Sequence, residues 1–145
     1  YGPHQRLTFG RKTLAELVDQ PESSWEVDRH IRLIHNCFPN LSVSGILGDH
    51  CLVSQIFPGP TPTTTLTRQT VLVATPPVSE EQRAASELFS SMVLQAVRDE
   101  DYAVGRTIQD GLKSGANQDF LFGRNEPAVQ NYHNTIARLM AGATR

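Results

Sequence analysis

The spacing of apolar residues along the chain changes character twice. From His30 to Thr75 apolar positions alternate with polar ones. IRLIHNCF, LSVSGIL, CLVSQIF and TLTRQTVLVAT are rich in β-branched and apolar residues, and their period of two predicts four strands. Gly48-Asp49, between the second and third, signals a tight turn. The third and fourth are separated by PGPTP, which no central strand accommodates because proline donates no ladder hydrogen bond. Links this short predict an antiparallel meander. Ahead of the strands, RKTLAELVD (11–19) predicts a short helix with Leu14, Leu17 and Val18 on one side, and PESSWEVD reads as a loop.

Beyond Thr75 the period lengthens. Pro76-Pro77 ends the last strand. Ser79-Glu80-Glu81-Gln82 predicts a capping box, with Ser79 accepting from the Gln82 amide while the Gln82 side chain reaches back. Ala85, Leu88, Phe89, Met92, Val93, Ala96 and Val97 then follow helical spacing. The stripe resumes at Val104, Ile108 and Leu112 and ends near Gly115, a C′ residue. A last helix opens at Asn125-Glu126-Pro127, with Asn125 as its cap. Val129, Tyr132, His133, Ile136 and Met140 form its apolar side. The expected fold class is α+β, a β-meander with long helices on one sheet face.

Composition narrows the function classes. With 145 residues, 39% hydrophobic and 19% charged, residues 1–145 suit one soluble domain. A formal charge of −2 argues against nucleic-acid and anionic-membrane partners, which call for basic clusters. No apolar run approaches the ~18–20 residues of a membrane span, and no signal peptide opens the chain. Two cysteines, Cys37 and Cys51, permit one disulfide at most, exclude a Cys-rich cluster and make a reducing cytoplasm the expected compartment. The start at Tyr1 rather than Met leads us to expect coding sequence upstream.

Asp101 is the most informative polar position. Four residues beyond Val97 and three before Val104, it falls on the helical stripe meant for a core. A buried carboxylate there needs a cation, strong donors or a metal. The alternative is that Arg98-Asp99-Glu100-Asp101 is a solvated break between two helices, with Asp99 or Asp101 capping the second. His30 and His35 lie five apart in an apparent strand, so their side chains point to opposite faces and serve structure rather than one metal. His50 reads as a solvated turn residue, and His133 as a core histidine bonded to a carbonyl. His4 is uninformative. Neither cysteine sits in an activating context. No G-x-S-x-G, P-loop, dinucleotide fingerprint or H-E-x-x-H is present.

The stretch from Val97 to His133 carries a more specific pattern. Glu100-Asp101 is followed, after seven residues, by Gln109-x-Gly111-Leu112-x-Ser114. Phe122-Gly123-Arg124-x-Glu126 and Gln130-x-x-His133 come next, and LIHNCFPNLSVS (33–44) supplies an aromatic-Pro-Asn turn between strands. In order and spacing this resembles the C-terminal part of the catalytic domain of Rieske-type aromatic ring-hydroxylating oxygenase α subunits, over roughly residues 30–140.

The resemblance implies a partial helix-grip (START-like) fold, in which an antiparallel sheet wraps a long helix around an apolar pocket. It implies O2-dependent hydroxylation of a small aromatic or related apolar substrate at Fe(II) held by two His and one carboxylate, Asp101 matching the carboxylate. It further implies ferredoxin and reductase partners, a [2Fe–2S] centre in the full-length protein and a homo-oligomer. The Cys-x-His and Cys-x-x-His of a Rieske domain, and the two iron histidines, have no match here. The expectation is therefore a C-terminal portion of the catalytic domain, apo and inactive by itself. A metal-free helix-grip module for a small ligand is the alternative; it predicts Asp101 exposed or paired with Arg or Lys, and a closed cavity. An interaction subunit whose sheet edge pairs with another chain is a third reading. Phe89, Met92 and Val93 are pocket candidates that core packing explains equally well.

Overall fold

The computed structural model describes residues 2–45, 50–117 and 119–143, so the expected Gly48-Asp49 turn lies outside the described residues. Five strands form one sheet in the order β1-β2-β3-β4-β5, each antiparallel to its neighbour. They are β1 (Gln5–Gly10), β2 (Ile31–Cys37), β3 (Leu41–Gly45), β4 (His50–Pro58) and β5 (Thr65–Val73). The meander is as expected, with one strand more. QRLTFG holds only two large apolar residues, too few for a period; pairing Leu7 with Ile34 is what makes it a strand.

The segment joining β1 to β2 departs from expectation. RKTLAELVD forms a 3-10 turn over Lys12–Leu17 rather than a longer helix, and the expected loop contains a second 3-10 turn, Glu22–Ser24. A single α-turn, α1 (Val27–His30), leads into β2, so His30 belongs to a helix end and not to a strand. Between β4 and β5, Gly59 donates to Thr64 O at 2.9 Å. A Cβ at Gly59 would strike the Thr64 hydroxyl and come within 2.8 Å of that residue's carbonyl carbon, so the turn demands glycine.

Helix α2 (Glu80–Val97) begins at the expected Ser79 cap, whose side chain accepts from the Gln82 amide. The return arm lands one residue earlier than the motif suggests, with Gln82 Oε1 accepting from Val78 N–H at 2.9 Å. A π-helical turn, Arg98–Tyr102, joins α2 to α3 (Ala103–Lys113). Gly115, at φ +67°, ends α3 as expected. Helix α4 (Pro127–Ala143) closes the described chain.

Strand register aligns side chains across the sheet. Gln5, Asn36, Ser42, Ser54 and Gln69 form one transverse polar row, flanked on the same face by Leu7, Ile34, Ser44, Leu52 and Val71. Both long helices meet this face. Helix α2 brings Ser86 and Phe89 to His50, and α4 receives the Gln5 amide at Ala128 O, 2.6 Å away. The arrangement is α+β and helix-grip-like.

The core is thin. Among the described residues Leu52 is the buried hydrophobic side chain, joined by His30 and Thr135. The accessible surface is 11520 Å². A compact monomer of 16.0 kDa exposes about 7,400 Å² on the usual mass scaling. Much of the apolar stripe that builds these helices therefore faces open space rather than protein.

Candidate functional site

Asp101 sits in the π-helical turn between α2 and α3. The acidic run is exposed, as the solvated alternative expected, but neither Asp99 nor Asp101 caps α3. The helix does not break at Arg98–Asp101, yet it does not pass through as uniform α-helix either. Widening one turn to i→i+5 bonding inserts a residue into the helical count and re-aims the side chains beyond it, a device frequent at functional sites.

Within the turn the charges are sorted. The Arg98 guanidinium donates to Asp99 from Nε at 2.7 Å and from Nη2 at 3.4 Å. That hydrogen bonding holds the Asp99 carboxyl below its usual range and raises Arg98. Asp101 is exposed and makes no ion pair or hydrogen bond among the described residues. The core-facing environment expected for it is not formed here, for a physical reason: the apolar residues of its own stripe are uncovered too. Val104, Ile108 and Leu112 are 58%, 51% and 41% exposed.

The histidines are placed differently from expectation. His50 is not a solvated turn residue. It opens β4 half-buried, with Nε2 3.2 Å from Ser86 Oγ and its ring 4.4 Å from that of Phe89. His133 is not a carbonyl-bonded core residue but an exposed one, lying 4.7 Å from the Phe122 ring. His35 is exposed on β2, whereas His30 is buried and bonds Thr13 O through Nδ1 at 2.9 Å. Cys37 and Cys51 are free thiols.

Of the pocket candidates, Phe89 is half-buried against His50, Val93 is half-buried and Met92 is 61% exposed. Among the described residues no group of three or more His, Cys, Asp or Glu side chains is placed to hold a metal ion. A two-histidine, one-carboxylate iron site is thus not assembled from them: His30 has turned one nitrogen to a backbone carbonyl, His50 is engaged with α2, and Asp101 stands apart.

The second recognised motif has a clear physical role. Gly123 N–H donates to the Glu126 carboxylate at 2.6 Å, and Gly123 O accepts from the Gln130 amide at the same distance. A Cβ at Gly123 would come within 2.6 Å of Asn125 Oδ1 and 3.1 Å of Glu126 Oε2. Phe122 meanwhile packs at a tilt of 34° against the His133 ring. The F-G-R-x-E and Q-x-x-H elements are therefore two halves of one knot that sets the entry of α4. Asn125 does not act as the expected cap; the Glu126 carboxylate binds the loop instead.

Sequence reasoning missed the cavity beneath α4. About 330 Å³ in volume, it has the polar row of Gln5, Asn36, Ser42 and Ser54 on one side and Val129 and Tyr132 on the other. Alternate polar positions in NCFPNLS and LVSQ signal it, once β1 is included in the sheet. Like the other cavities described, it is an open cleft. No helix among the described residues is long and apolar enough to cross a membrane.

Comparison with known proteins bears on these placements. The family model described as ring hydroxylating alpha subunit (catalytic domain) matches residues 1–142. No curated protein and no solved structure matches the chain.

Proposed function

The chain belongs to the ring-hydroxylating α-subunit family, in its catalytic domain, and from that premise we propose that it contributes the carboxylate side of a mononuclear iron site for O2-dependent hydroxylation of an aromatic or related apolar ring. Aromatic ring hydroxylation is the activity of the family; the iron, the residue and the substrate range are our reading. The observation that carries it is the π-helical turn at Asp101, a local widening with no capping or packing role of its own. Asp99 is neutralised by Arg98 while Asp101 is left unpaired, so the turn presents one available carboxylate beside an apolar stripe.

The described residues do not complete the donor set, and no reaction step is assigned to them. We place the two histidine donors, and a [2Fe–2S] domain that takes electrons from a ferredoxin and its reductase, in polypeptide preceding Tyr1. The uncovered stripe of Val104, Ile108 and Leu112 supports this, because such polypeptide would cover it. The test is metal analysis of the product translated with its upstream coding sequence. We expect iron in that product and its loss in Asp101→Ala, with the far-ultraviolet dichroism unchanged. Undiminished iron in the Asp101→Ala product overturns the assignment.

One observation favours the alternative of a metal-free ligand-binding module, namely that Asp101 is exposed as that reading requires. The closed cavity it also requires is not found among the described residues, whose cavities are open clefts. An iron-free longer product that binds apolar ligands tightly would decide for it.

A further inference from the structure

A second apolar cleft lies on the connection between β1 and β2, on elements other than those that carry Asp101. About 480 Å³ in volume, it is lined by Leu14, Leu17, Val18, Trp25, His30 and Ile31. That volume falls within the ~300–1,000 Å³ usual for small-molecule sites. The first 3-10 turn, with Val18 at its end, and Ile31 of β2 supply the aliphatic walls, and Trp25, just after the second turn, supplies an aromatic face, 41% exposed. The indole N–H is already committed, donating to Gln20 O at 3.1 Å. Trp25 therefore offers a ring and no polar group.

His30 is the polar side chain of this cleft whose bonding is incomplete. It is 5% exposed, and its Nδ1 lies 2.9 Å from Thr13 O. A carbonyl oxygen only accepts, so Nδ1 must carry the proton. In the neutral ring that leaves Nε2 as a lone-pair acceptor, and it has no partner among the described residues. Nε2 is not among the fully buried polar atoms left without a partner, so this acceptor, on a side chain lining an otherwise apolar cleft, is open to a donor from an occupant. The occupant that satisfies both features has an apolar ring for Trp25 and the aliphatic walls, and one donor for Nε2.

We propose that this cleft binds a hydroxylated aromatic molecule, a monophenol in the simplest case, with its hydroxyl donating to His30 Nε2 and its ring against Trp25. The site needs no metal. It stands or falls separately from the role of Asp101.

Trp25 is the only tryptophan of the chain, so its emission reports the cleft directly. The purified 145-residue chain is titrated at about pH 8, where imidazole is ordinarily neutral, with 4-ethylphenol and with 4-ethylanisole, a similarly shaped ether that lacks the donor. Saturable quenching by the phenol, with the ether roughly tenfold weaker, is expected for one hydrogen bond gained or lost. His30→Asn keeps a side-chain donor to Thr13 O while removing Nε2, and should bring the two ligands to equal affinity. Val18→Glu, at a position 81% exposed and so harmless to folding, should weaken both. Equal affinities in the unaltered chain, or no saturable response to the phenol, overturn the proposal. So does a preference that survives in a folded His30→Asn. Should that variant not fold, the phenol-to-ether ratio and Val18→Glu decide.

Discussion

The two ends of the helical half of this molecule are held in opposite ways. Helix α4 is tied down by directed polar contacts: Gln5 to Ala128 O, Tyr132 to Pro39 O and Gln130 to Gly123 O, and its own Thr135 is buried. The α2–α3 rod meets the sheet where Ser86 and Phe89 reach His50, and its later turns expose their apolar side chains. Both regions carry family motifs. In α4 the motif residues satisfy one another, so the motif is a local structural device. In the Asp101 stretch Ser114 donates to Gly111 O at the end of α3, but the Asp101 carboxylate itself has no partner among the described residues, as expected of a group whose partners lie elsewhere. A motif that closes on itself and a motif that stays open call for different experiments.

The contrast can be tested from its most stable point outward. Leu52 is the buried apolar side chain between the two helices' attachments, and Leu52→Ala should cost about 2–4 kcal/mol in chemical denaturation. A cost below ~1 kcal/mol would mean that the sheet face is no better packed than the rod. At the α4 knot, Gly123→Ala forces Asn125 and Glu126 aside and should cost about 1–2 kcal/mol. Tyr132→Phe, which removes the hydroxyl donor to Pro39 O, should cost about 1 kcal/mol. On the open rod, Ile108→Ser should change the stability of this chain by no more than about 0.5 kcal/mol. It should also lower binding of a hydrophobic dye. A larger destabilisation would show that the stripe is covered and would break the comparison.

How much of this was legible in the sequence differs by region. Strands β2 to β5 were legible because their period of two follows directly from one buried face. Strand β1 was not, because QRLTFG becomes a strand only through pairing with β2, and with it went the polar row that starts at Gln5. The two long helices and the Gly115 stop were readable from spacing. The π-helical turn was not, since i→i+5 bonding leaves no mark in composition. Asp101 could be singled out, but the sequence left a core-facing and a solvated reading side by side, because a stripe shows which face is apolar and not whether anything lies against it. His50 and His133 were misplaced for the same reason: their neighbours, Phe89 and Phe122, are brought to them by tertiary packing.

The smallest expected effect is electrostatic and lies inside the turn. Arg98 holds the Asp99 carboxyl below its usual range by hydrogen bonding. A depressed carboxyl contributes stability at higher pH and loses it as pH falls through the lowered value. In Arg98→Gln the Asp99 carboxyl should move up toward the ordinary aspartate range, as read by carboxyl-carbon NMR titration. An Asp99 carboxyl that stays low in Arg98→Gln would mean that something other than Arg98 holds it down.

The widened turn at Arg98–Tyr102 also changes what a gap in an alignment would mean. Removing one residue from an ordinary helix end shortens the rod by about 1.5 Å. Removing one here would restore uniform winding and leave the rod nearly as long, with every later side chain keeping roughly its direction relative to α2, whereas the same loss from uniform helix turns them by about 100°. Val104, Ile108 and Leu112 would still face nearly the same way. Length variation among relatives at these five positions is therefore absorbed by the winding, and a natural deletion there would mark a chain whose apolar stripe meets the same surface.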